Sequence, residues 1–355
     1  VSADDAPARL GDDRAQRSVV RRRAAFAVLT LVVLAGTVWY GVSELQRARA
    51  EQSAPSQVDV ADGILDAPHV LFRSTAPGDL YGHAAAVALD DLSGPREVTS
   101  VVCDRVSSDG TTTVCLRTDR GVVTTYEAEV LDAAWRTTAT WPLPGIPSRA
   151  RLSPDGLVAT TAFVTGHSYS QTGFSTETTV HRVDGTDVSG NLEDFTLLAD
   201  GERVAPVDRN VWGVTFVDAR HFYATVQSRS LGHTWLVRGD LEERTLVTVL
   251  DGVECPSLSP DGTRLAFKHD AAPAGSATAH WTPAVLDLAS LEVTVLDAEE
   301  RNVDDQITWL DDATLLYGLA RDDEPETTDV WSLPADGTAP PEVAIPQAWS
   351  PSVVR

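Results

Sequence analysis

Residues Pro256 to His269 read PSLSPDGTRLAFKH, and this stretch decides the fold. Ser257 to Ser259 alternates polar and apolar residues, as a strand does. Ser259-Pro260-Asp261-Gly262 follows as a tight turn. Pro260 presets φ for the first central position, Asp261 tolerates the second, and Gly262 supplies a left-handed residue. Arg264-Leu265-Ala266-Phe267 then returns as a second strand, so the segment spells out a β-hairpin.

The hairpin recurs. Arg151 to Phe163 reads RLSPDGLVATTAF, and Arg105 to Leu116 reads RVSSDGTTTVCL. Two looser copies turn at Asp218 (VTFVDARHFYATV) and Asp311 (ITWLDDATLLYGL). The turn aspartates 109, 155, 218, 261 and 311 are spaced by 46, 63, 43 and 50 residues. A period of roughly 40 to 50 residues built of strands is the mark of a β-propeller, with four strands to a blade. Third strands repeat as well, in Trp235 to Leu241, Ala284 to Leu288 and Asp329 to Leu333.

The chain starts its propeller in mid-blade. His69 to Ser74 and Ala84 to Leu89 read as strands with no inner strand before them. Gln347 to Val354 (QAWSPSVV) has the strand-to-turn start of another repeat, and Ser350 follows Asp311 by 39 residues. The C-terminal strand is therefore expected to complete the first blade. Five internal hairpins and one composite blade make an all-β, six-bladed β-propeller. Closure of this kind removes edges that would invite aggregation.

Leu152 to Gly156 and Leu258 to Gly262, each followed by an apolar strand, resemble the repeat of TolB-like (WD-repeat-like) propellers. The resemblance runs from about Val70 to the C-terminus. It implies a propeller working in envelope complexes; such proteins are usually free in the periplasm, whereas this chain carries an expected anchor.

That anchor is Ala24 to Val42, nineteen residues without a charge, enough to span a bilayer as a helix. Trp39 and Tyr40 lie near its end, where an aromatic belt belongs. Arg14, Arg17, Arg21, Arg22 and Arg23 precede it, a bias that puts the N-terminus inside and the propeller outside. A cleaved signal peptide has a shorter apolar core with a cleavage site directly after it. Here the nearest A-x-A, Ala48-Arg49-Ala50, lies beyond charged residues, and the expectation is an uncleaved single-pass anchor. The expected organisation is a disordered cytoplasmic tail over 1–23, a transmembrane helix over 24–42, a linker over 43–66 and the propeller over 67–355.

The net charge of −24 argues against nucleic acid as a partner, because that affinity rests on Lys and Arg neutralising phosphate. Lys268 is the single lysine. Cys103 and Cys115 flank the turn centred on residue 109, and a symmetric hairpin would set them face to face, close enough for a disulfide. Cys255 is expected as a buried free thiol.

Catalytic signatures are missing. Gly166-His167-Ser168-Tyr169-Ser170 fails the G-x-S-x-G elbow at its last position. There is no P-loop, no dinucleotide-binding glycine pattern and no H-E-x-x-H, so no cofactor and no metal is expected. His83, His233 and His280 start three third strands, seven or eight residues before an Asp-Leu pair. Rotation about the propeller axis keeps such positions apart, so hydrogen bonding is the expected role, with a binding role on the channel-mouth face as the functional alternative. The period between Asp155 and Asp218 is overlong; the extra residues are expected in Thr165 to Thr176, with Asp200 to Asn210 as a second place for them, and Thr165 to Thr176 resembles a recognition loop in composition. His167, Tyr169 and Phe174 are its candidate contact residues.

Three functions follow: a non-catalytic scaffold docking protein or peptide at the cell surface, a lyase or hydrolase using the channel mouth, and a sensor of glycan or wall fragments. The sequence favours the first.

Overall fold

A computed structural model of the chain describes residues 10–164, 175–273, 276 and 278–355. Two compact units result, Val1–Pro55 and Ser56–Arg355. In the first, α1 (Leu10–Gln52) is a single helix. Its stretch Val19–Arg47 is long and apolar enough to cross a membrane. The helix outruns the charge-free segment at both ends, so residues 10–23 are helical rather than disordered, as are residues 43–52 of the expected linker. The physical reason is local: Arg, Ala and Gln on both flanks, with Glu on the second, are good helix formers, and no proline falls between Pro7 and Pro55. Once the apolar run has formed a helix, extension through such residues costs little.

The second unit is a six-bladed propeller. Blade one holds β1 (His69–Ser74), β2 (His83–Ala88) and β3 (Arg96–Val102). Blade two holds β4 (Arg105–Ser108), β5 (Thr112–Arg120), β6 (Thr124–Asp132) and β7 (Thr137–Pro142). Blade three holds β8 (Ile146–Leu152), β9 (Leu157–Val164), β10 (Ser175–Arg182) and β11 (Asp187–Asn191). A hairpin of β12 (Thr196–Ala199) and β13 (Glu202–Val204) comes next. Blade four holds β14 (Arg209–Phe216), β15 (His221–Ser228), β16 (His233–Asp240) and β17 (Thr245–Asp251). Blade five holds β18 (Glu254–Leu258), β19 (Arg264–Asp270), β20 (Trp281–Asp287) and β21 (Val293–Val295). Blade six holds β22 (Thr308–Trp309), β23 (Thr314–Ala320), β24 (Thr328–Pro334) and β25 (Glu342–Ile345). The last strand, β26 (Ala348–Val354), is the inner strand of blade one, paired antiparallel with β1 from His69↔Val354 to Ser74↔Ala348.

The repeated turns behave as their residues require. In the SPDG turns Gly156 and Gly262 both have φ +72°. Ser153 N donates to Leu157 O and Ser259 N to Arg264 O, both at 2.8 Å. Asp261 accepts from Ser259 Oγ and Thr263 N, bonds that pull its carboxyl down to about 2. Apolar faces of neighbouring blades make the cores between them: Val114, Leu116, Val130 and Trp141 of blade two pack on Val158 and Ala162 of blade three.

The overlong period has a structural cause besides the 165–176 segment. β12 runs parallel to β17 and adds itself and β13 to the outer edge of blade four, making a six-stranded sheet. The compact unit also starts earlier than residue 67. Asp59 O accepts from Arg96 N and Arg96 O from Ala61 N, while Glu97 Oε2 accepts from Ile64 N and Leu65 N, so 56–66 lies against blade one.

Cys103 and Cys115 form the expected disulfide, with Cα atoms 5.4 Å apart, but not across a hairpin. Ser108 pairs with Thr113, so the turn is longer than a symmetric one about residue 109, and Cys115 lies opposite Val106. Cys103 precedes β4 and its N–H donates to Gly82 O of blade one. The disulfide therefore straps blade one to the second strand of blade two. Cys255 is free and buried.

Candidate functional site

The inner strands surround an axial channel. In β4, β8, β14, β18 and β22 the residue one before the last pair with the second strand is Ser107, Arg151, Thr215, Ser257 and Thr308. Ser352 takes this level in β26. All six border a cavity of about 560 Å³ on the hairpin-turn face. The hydroxyls tie adjacent blades together: Ser107 Oγ accepts from Leu152 N at 3.0 Å, Thr215 Oγ1 from Leu258 N at 3.1 Å and Ser352 Oγ from Ser108 N at 2.9 Å. Blade three breaks the pattern with Arg151. Its guanidinium donates to Thr308 Oγ1 and Ser257 Oγ, both at 3.4 Å.

β-Bulges decide what faces the axis beyond this ring. Pairing shifts register between Trp212 and Thr215 in β14, where Gly213 has φ +67°. It shifts again between Glu254 and Ser257 in β18, where Cys255 has φ +52°. A bulge inserts one residue and re-aims the side chains beyond it. Trp212 and Thr215, three apart, consequently both line axial cavities, as do Glu254 and Ser257. A narrow neck of about 30 Å³ lies between the two ends, bordered by Arg105, Arg149, Arg151 and Asp305. Arg105 pairs with Asp305 at 3.3 Å and stacks over Trp349, 4.8 Å from the ring centroid. Burial pushes the guanidinium of Arg105 and that of Arg151 down to about 10, still charged at neutral pH.

The opposite mouth is a cavity of about 510 Å³. Phe163, Trp212 and Trp281 give it aromatic walls, and Arg149, Arg229 and Lys268 give it positive charge. Lys268, the chain's single lysine, is buried with Nζ 2.6 Å from Asp304, 3.6 Å from Glu254 and 4.7 Å from the centroid of Trp281. Burial opposes the ammonium charge, but the surrounding negative groups outweigh it and raise the pKa. Burial raises the Glu254 carboxyl in spite of the lysine beside it. Across neck and mouth, five basic side chains face three acidic ones, in a chain whose net charge is −24. Among the described residues no group of His, Cys, Asp and Glu is arranged to hold a metal ion.

The three histidine candidates lie elsewhere. His83 Nδ1 contacts Thr99 O at 2.7 Å, and His233 Nδ1 contacts Asp251 at 2.6 Å while its ring stacks on Trp235. His280 caps its strand through the backbone, its N–H donating to Asp270 Oδ1 at 3.0 Å. Each is held within its own blade, and none borders the axial cavities, although Trp281 beside His280 does. His167, Tyr169 and Phe174 lie outside the described residues. Sequence reasoning missed the axial residues. Two signals carried them: Arg151 ahead of an SPDG turn, where sister repeats have small hydroxyl residues, and a lone lysine within a strand.

This architecture is that of the TolB-like propellers. The structure of TolB from Acinetobacter baumannii superposes with a TM-score of 0.54 at 16% identity, over 82% of this chain and 67% of that one. A putative TolB from Agrobacterium tumefaciens gives 0.47 at 11%, over 80% and 90%, and an oligogalacturonate lyase from Vibrio parahaemolyticus gives 0.43 at 9%, over 68% and 74%. No protein-family model matches the sequence, and no curated protein does. At these identities the likeness is one of fold.

Proposed function

We propose that the protein is a membrane-anchored, extracytoplasmic propeller that binds a protein or peptide segment at the channel mouth in the cell envelope, without catalysing its conversion. The observation that carries this reading is the mouth itself. A cavity of about 510 Å³ lies in the size range of ligand pockets, and it combines two tryptophans and a phenylalanine with arginine and lysine. Aromatic and arginine side chains are the residues that anchor partners at interfaces. The anchor in this reading is the apolar stretch Val19–Arg47 of α1.

Site-specific photo-crosslinking in intact cells tests it. A photoreactive residue in place of Phe163, at the mouth and 40% exposed, should yield a discrete protein adduct. The same residue in place of Leu291, on the turn before β21 and 44% exposed, should not. Equal labelling from both positions, or none from Phe163, overturns the proposal.

A further inference from the structure

Resting on the peptide-binding reading above, we infer that Arg149 and Arg151 form a receptor for a carboxylate of the bound peptide, which reaches them through the tryptophan-lined mouth. Four observations converge on it. First, among the described residues neither arginine has a carboxylate within salt-bridge distance. Arg105 has Asp305, and Lys268 has Asp304 and Glu254. Second, the Nε of each arginine is buried without a hydrogen-bond partner. No carboxylate is hydrogen-bonded to either: Arg149 Nη1 donates to Ser148 O at 2.9 Å and the side chain also interacts with Cys255, and Arg151 donates to hydroxyl oxygens at 3.4 Å. A buried donor left without a partner is costly, and a guanidinium meets a planar carboxylate through two parallel bonds. Third, the two side chains border one neck, Arg149 also opening to the mouth and Arg151 to the ring of hydroxyls. An anion entering from the mouth meets them in that order. Fourth, five of the six blades place a small hydroxyl residue at the level where blade three has Arg151, so the fold itself does not demand a charge there.

The neck, at about 30 Å³, takes a group the size of a carboxylate and not a side chain beyond it. The carboxylate can come from a chain terminus or from an Asp or Glu side chain, and the experiment separates these sources. Full-length detergent-solubilised protein and the variant R149Q/R151Q are each incubated with four randomised hexapeptide pools. One pool has free C-termini; a second is amidated; a third is amidated and lacks Asp and Glu; a fourth is free-acid and lacks Asp and Glu. Expected is retention by the native protein of pools carrying a carboxylate, with at least a tenfold loss in the variant. Retention of the fourth pool assigns the site to the terminus, and retention of the second without the fourth assigns it to an acidic side chain. Equal retention of the third pool, or no loss in the variant, overturns the arginine receptor while leaving peptide binding standing. Retention of no pool overturns both. The variant's melting temperature is the second readout. Removing two half-buried cations that make no ion pair should leave it unchanged, and a fall would make the arginines structural and overturn the inference.

Discussion

At the scale of single residues, the bulges around the channel make the sharpest demands. Gly213 has φ +67°, and a Cβ built on it would lie 2.7 Å from the Cα of Cys255 in the next blade, backbone that has no room to yield. Gly213→Ala should therefore destabilise the propeller by about 1–3 kcal/mol or more. Gly252→Ala is the control: φ is +79° but the space is open, so only the backbone cost of roughly 1 kcal/mol remains. Denaturant midpoints of the two variants check the difference. Glu193 sets a pH dependence. It is 9% exposed and accepts from Thr176 Oγ1, Thr178 N and Val211 N, yet burial raises its carboxyl to about 7. Between the unfolded value near 4.3 and the folded value near 7, the native protein holds a proton that the unfolded chain has lost. Stability from this group is thus greatest below pH 4.3 and is lost as pH rises toward 7, a change on the order of a few kcal/mol. Urea midpoints measured from pH 5 to 8 should fall more steeply in the native protein than in Glu193→Gln. Neither position was legible in the sequence. A glycine in a strand signals some bulge or close approach, but the neighbour at Gly213 is a residue 42 positions away.

At the scale of elements, the hairpins were the legible part, because turn chemistry is local. Ser-Pro-Asp-Gly states its own backbone path, and the period then counts the blades. Register was harder to read. Cys103 and Cys115 look symmetric about residue 109, but the turn is longer than that symmetry assumes, and the partner of the Cys115 side chain comes from the edge of the preceding blade. The β12–β13 hairpin escaped for a similar reason: its parallel pairing with β17 joins segments about 50 residues apart, a contact that no short-range pattern announces. Since the disulfide clamps two blades, its loss should act on the seam between them. Reduction, or the double change Cys103→Ala with Cys115→Ala, should cost about 2–4 kcal/mol, read as a lowered denaturant midpoint. Reductant should then have no further effect on the double variant; a midpoint unchanged by reduction of the native protein would show that the strap adds nothing.

At the scale of the whole molecule, the net charge of −24 describes the chain as acidic, and the channel is the exception that a total could not reveal. Five basic groups along one axis disappear in a total of −24 until the six inner strands are brought together. Anchoring belongs to this scale too. Protease added to intact cells should remove the unit Ser56–Arg355 and spare the tail before α1, and release of the intact protein by a salt wash would contradict an anchor. β1 ends at residue 74 and its inner neighbour β26 starts at residue 348. At roughly 5–20 residues per second, the ribosome needs on the order of fifteen to fifty seconds to deliver the second after the first. For that interval the earliest-made blade waits with its inner edge unsatisfied, while every later blade can assemble as it emerges. The nascent chain is thus most in need of a chaperone at its earliest-made blade, until the seven residues of β26 emerge and cover that edge.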